Sequence, residues 1–132
     1  MKRATILAAA ISCAALTSCG GSPGDILGLG ISGGQQRQTV HMHLEENGRA
    51  SCNTKPLHQL SSQQLLDARN IVRDAQPFTK VGARFGTASS QQRTFELRTP
   101  NGTVDWTEAA VGKPPVLSQA ELLALQMEQQ LC

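Results

Sequence analysis

His41-Met42-His43 is the pair of side chains best placed to do chemistry in this chain. Residues two apart on a strand share a face, so the two imidazoles stand about 7 Å apart on one side. Both can bind a divalent transition metal if a third ligand arrives from elsewhere. His58 or a carboxylate is the candidate for that place. The same rings titrate between about pH 5 and 8 and can tune a contact instead. No Cys and no Glu-x-x-His spacing strengthens the metal reading, and a cross-strand acid such as Glu96 would satisfy the rings without an ion. Arg84, Glu96 and Arg98 are the charged residues offered for contact with a partner.

Other chemistry has less support. Ser, His and Asp all occur, but no Ser sits in a nucleophile elbow, and no two carboxylates are held by helical or strand spacing as acid–base work requires. The expectation is a protein that is not an enzyme and carries no cofactor. Gly28-Leu29-Gly30-Ile31-Ser32-Gly33 matches the spacing of the dinucleotide-binding fingerprint. That fingerprint needs a strand before it, a helix after it and a downstream acid. Here Gly34 and a polar Gln/Arg stretch follow, so the glycines read as linker.

The elements that position these groups follow from periodicity. Val40, Met42 and Leu44 alternate with Thr39, His41, His43 and Glu45, which is the pattern of a half-buried strand. Asn47-Gly48 is a hairpin signal, with Ala50 and Cys52 on the apolar face of the return. Phe95 and Leu97, Asn101-Gly102, then Val104 and Trp106 repeat the same grammar. Val81, Ala83 and Phe85 suggest one more strand. Each hairpin leads to a helix: Ser61 with Gln64 forms a capping box for one that ends before Pro77, and Ser118 with Glu121 for one that reaches Cys132. The sum is an α+β domain, an antiparallel sheet of four or five strands with two helices on its apolar face. Leu60-Ser61-Ser62-Gln63-Gln64-Leu65-Leu66 and Leu117-Ser118-Gln119-Ala120-Glu121-Leu122-Leu123 share a pattern. A ββα pseudo-repeat is one reading, and reuse of common cap and turn residues is the other. The opposite face of the sheet is left polar, lined by His41, His43, Glu45, Glu96, Arg98 and Asp105.

Met1-Lys2-Arg3 followed by an apolar run to Leu16 has the form of an export signal, too short to span a bilayer. Its end, Leu16-Thr17-Ser18-Cys19, resembles the lipobox of bacterial lipoproteins. The resemblance implies cleavage before Cys19, acylation of its thiol and delivery to the cell envelope, at the outer membrane or cell surface. Residues 1–18 are then signal peptide, 19–37 a Gly/Ser/Gln tether and 38–132 the domain. Asp25-Ile26-Leu27, Leu29 and Ile31 could rest on the domain or on lipid headgroups. Cys13 leaves with the signal and Cys19 is taken by lipid, so Cys52 and Cys132 remain to form one disulfide in an oxidising compartment.

Lys2 and Arg3 carry the formal excess of +2, so the processed chain is electrically balanced. With no basic run and few aromatic residues it has no footprint for nucleic acid. The expected partners are the membrane, through the anchor, and an envelope or secreted protein. The leading expectation is a lipid-anchored extracytoplasmic binding module. One alternative is a small inhibitor of a secreted protease. The strand, helix, hairpin and terminal helix with Asn101-Gly102 are loosely similar to emfourin-like inhibitors, with Gly86–Arg93 as the inserting loop. A metal-binding envelope protein is the other.

Overall fold

The computed structural model describes residues 24–35 and 38–132. The export signal, Cys19 and the start of the expected tether lie outside the described residues. The part of that tether at 25–33 is corrected: it is the middle strand of the sheet. In chain order the elements are β1 (Asp25–Gly33), β2 (Val40–Glu45), β3 (Arg49–Cys52), β4 (His58–Gln59), α1 (Ser62–Asp74) and α2 (Gln76–Thr79). β5 (Arg84–Phe85), β6 (Arg93–Thr99), β7 (Gly102–Thr107) and α3 (Pro115–Leu131) complete the fold. Leu27, Leu29 and Ile31 of β1 are buried, so they rest on the domain's own core. Alternation with Gly28, Gly30 and Ser32 is the period of a strand, and burial of that apolar face outweighs the poor strand propensity of glycine.

The protein is α+β, as expected, but its sheet is mixed and has seven strands in the order β4-β3-β2-β1-β6-β7-β5. The additions to the expected strands are β1, at the centre of the sheet, and the short β4 at one edge; the expected strand at Val81–Phe85 is reduced to β5 at the other edge. β5 runs parallel to β7, pairing Arg84 with Asp105 and Phe85 with Trp106. It cannot form a hairpin with β6, because β1 and β7 already occupy both edges of that strand. The two Asn-Gly hairpins form as read, β2 with β3 and β6 with β7.

One hydrophobic core runs between the sheet and the helices, from Leu27, Met42, Leu44, Phe95, Leu97, Val104 and Trp106 on the strands to Ile71, Leu117, Leu123 and Met127 on α1 and α3. α1 begins at the expected capping box: Gln64 N–H donates to the Ser61 hydroxyl, and the Gln64 side chain accepts from Ser61 N–H. α3 begins earlier than expected. Pro114 is its N-cap and Pro115 its first residue, where a missing N–H and a fixed φ do no harm. Ser118 therefore lies inside the helix and does not cap it. Glu121, free of a capping role, accepts from Trp106 Nε1 at 3.1 Å and from Lys113 Nζ at 2.8 Å.

The ββα pseudo-repeat fails on handedness. β2 and β6 both run antiparallel to β1, with β3 outside one and β7 outside the other. With α1 and α3 on the same face, the two hairpins turn away from the centre in opposite directions. Units of that arrangement are mirror-related, which copies of one chiral segment cannot be. Shared caps and turns account for the matching letters.

Cys52 and Cys132 are joined by a disulfide with Cα atoms 5.4 Å apart, fastening the end of α3 to β3. Lys55 Nζ donates to the Cys132 carbonyl beside it.

Candidate functional site

Strand parity sets the open face. Leu29 pairs with Met42 and Leu97 on the core side, so Gly28 and Gly30 face outward. Gly28 lies between His43 and Arg98, and Gly30 between His41 and Glu96. β1 thus carries no side chain on this face at the two positions where its neighbours carry large polar ones. Neighbouring strands lie about 4.8 Å apart, so the polar rows on β2 and β6 stand roughly 10 Å apart across bare backbone. The result is a trough of about 430 Å³ between His41 and His43 on one wall and Glu96 and Arg98 on the other. Asn53, Thr99 and Pro100 line it further, and Asp25 lies toward the end where β1 begins.

Neither glycine is forced by the fold. Both have ordinary strand backbones, and an added Cβ would meet only van der Waals contacts, 3.6 Å from Arg98 Cβ at Gly28 and 3.4 Å from Glu96 Cβ at Gly30. Gly102, in the second hairpin turn, is different: its φ is +138°, and a Cβ there would collide with the Thr79 carbonyl. Glycine inside a strand commonly marks a bulge, a bend or a close approach to the backbone, and the pairing through Gly28 and Gly30 is unbroken on both sides.

The sequence-derived candidates divide. His41, His43, Glu45, Glu96, Arg98 and Asp105 share the open face as expected. Arg98 Nη2 donates to Glu96 Oε1 at 2.9 Å along the β6 wall. Arg84 lies away from the trough, on the edge strand, 3.4 Å from Asp105. His58 is corrected as a third ligand. It pairs with Ala50, which pairs with Leu44, and all three lie on the core side of the sheet while His43 is on the other. The residues that do gather around His43 are Asp25 and Glu45, whose ligand atoms all lie within 4.8 Å of one another and of a ring nitrogen. Asp25 escaped the sequence reading because its place depends on a register shift between β1 and β2.

Ser51 sits beneath His43, its hydroxyl 3.1 Å from Nε2 and 3.3 Å from Nδ1. Ser, His and a carboxylate side by side suggest a hydrolytic triad. At 3% exposure, however, the hydroxyl is covered by the ring and is not presented to a substrate. The contact orients the imidazole.

Beyond His41 the open face ends in a like-charge pair, Glu96 directly across from Asp105. Burial pushes the Asp105 carboxyl above its ordinary range, Glu96 adds to the effect, and Arg84 and Arg98 oppose it. The native state therefore holds this proton to higher pH than the unfolded chain does. Stability falls as pH rises from the unfolded pKa through the native one, and the loss is complete at neutral pH. Asp105→Asn should add about 0.5 kcal/mol at pH 7, the scale of one cross-strand like-charge contact. Below about pH 2.5, where both states are protonated, it should add nothing. Urea unfolding at the two pH values checks this, and an equal gain at both would refute it.

Comparison with family models, with curated proteins and with solved structures finds no match to this chain.

Proposed function

We propose that the protein is a lipid-anchored binding module of the bacterial cell envelope, and that its binding surface is the trough on the open face of the sheet. The observation that carries the reading is the bare floor at Gly28 and Gly30 between polar walls on β2 and β6. A sheet that needed only to be covered by water would gain roughly 0.5–1 kcal/mol from a side chain at each glycine. Leaving the backbone bare gives a partner's extended segment close access to it, with His41 and Asn53 on one side and Glu96 and Arg98 on the other to fix its orientation. The partner that suits this surface is an envelope or secreted protein contributing such a segment. The lipobox at Leu16–Cys19 supports the location.

The test uses the full-length lipidated chain, held in a membrane mimic and exposed to native envelope extract, beside a Gly28→Val/Gly30→Val variant. Valine suits a strand and meets no close contact at its Cβ, so the variant should keep the wild-type circular dichroism and a thermal midpoint no lower than that of the wild type. Its branched side chains fill the floor. Recovery of the partner identified by mass spectrometry should fall at least tenfold. Undiminished capture by the folded variant would exclude the trough, and intact mass showing an unacylated Cys19 would exclude the anchor. A secreted protease held at stoichiometric ratio, and inhibited, would make the module an inhibitor.

A further inference from the structure

We propose that Asp25, His43 and Glu45 form a binding site for one divalent transition-metal ion of the zinc class, at the end of the trough. The three side chains come from two strands and converge through a defect in the ladder. Leu27 pairs with Leu44, so unbroken alternation would give Ile26 opposite Glu45 and turn Asp25 to the core side with Leu27. The register shifts between Asp25 and Leu27, and Asp25 pairs with Glu45. This bulge turns the Asp25 carboxylate onto the open face, beside Glu45 and diagonally from His43. Bulges commonly re-aim a side chain at a site.

The arrangement is unfavourable without a cation. Two carboxylates directly across a strand pair repel. Among the described residues neither forms an ion pair, whether with Lys, Arg or His43 itself. A divalent ion removes that repulsion and uses the imidazole as well. One nitrogen and two carboxylate oxygens make a donor set suited to zinc, whose ligands lie about 2.0–2.2 Å from the metal. The donors span at most 4.8 Å, and rotation of the exposed Asp25 side chain and the Glu45 side chain draws them to that distance. Ser51, buried beneath the ring, lies 3.1 Å from Nε2 and 3.3 Å from Nδ1 and fixes the orientation of the imidazole, the part that residues behind a metal-bound histidine play. Three protein donors leave a position for water or for a group from outside. His41 and His58 take no part. The inference stands whether or not the trough holds a partner.

The full chain is titrated with Zn²⁺ against a chromophoric chelator, and with Co²⁺ while visible absorption is recorded. Saturation is expected at one ion per chain, with a rise in the thermal midpoint that EDTA reverses. His43→Ala should abolish binding. Asp25→Asn and Glu45→Gln should each weaken it at least tenfold, and Ser51→Ala by about tenfold with the Co²⁺ bands retained. His41→Ala and His58→Ala should leave it unchanged. Asp25 is exposed, so its substitution tests the site without threatening the fold. The proposal is overturned by the absence of saturable binding, by an Asp25→Asn/Glu45→Gln double variant that binds like wild type, or by loss on His58→Ala equal to that on His43→Ala. Partner capture that persists in EDTA leaves the trough reading intact whatever the titration shows.

Discussion

Reducing the Cys52–Cys132 bridge should lower the free energy of unfolding by about 4 kcal/mol. The bridge spans a sequence separation of 80, and closing a loop of that length removes much of the freedom of the unfolded chain. In a domain this small the loss is a large share of a total that is ordinarily about 5–15 kcal/mol. The native contacts around the bridge make the loss local as well as global, because Cys52 is buried on β3 while Cys132 caps α3. Freeing it lets the last turn of α3 fray from Leu131 backward. Urea unfolding with and without reductant measures the effect, and a Cys52→Ala/Cys132→Ala variant should reproduce the reduced curve. A fall of less than about 1 kcal/mol would show that packing alone holds α3 to the sheet.

Trp106→Ala should cost about 3–5 kcal/mol, the range for removing a buried aromatic ring. Trp106 is 1% exposed on β7, stacks on Phe95 with ring centroids 5.7 Å apart and planes 12° from parallel, and donates to Glu121. Its loss opens a cavity between β6, β7 and the helices and takes one of two hydrogen-bond donors from the carboxylate of Glu121, on α3. Trp106→Phe separates the two contributions. It keeps most of the ring volume and leaves Glu121 bonded to Lys113, so about 1–2 kcal/mol is expected. Trp106 is the only tryptophan, so circular dichroism rather than fluorescence must follow the unfolding. Equal losses in the two variants would place the effect in the hydrogen bond and not in the packing.

The hairpins and α1 were legible because local chemistry determines them. Asn-Gly turns, period-two alternation and the Ser61–Gln64 box each need only near neighbours in sequence. β1 was misread although Leu27, Leu29 and Ile31 have a strand's period, since interleaved glycines look like linker until a sheet supplies neighbours on both sides. Its burial depends on β6, more than sixty residues downstream. The same limit hid the cluster around His43. His41 and His43 are adjacent in the sequence pattern, but Asp25 reaches the latter only through a bulge, and His58 is lost to it by the parity of two successive pairings. The α3 start was misplaced because a serine followed by an acid imitates a cap, whereas two prolines upstream had already set the first turn.

The place of β1 has a mechanical consequence. If acylation is at Cys19, no more than five residues separate the bilayer from Asp25, a reach of about 17 Å at full extension. The anchor would then pull on the centre of the sheet and not on an edge. Tension along the chain would have to shear the ladders with β2 and β6 at once, where an edge strand would peel away one bond at a time. Such a domain would ride close to the lipid surface and resist being drawn off it.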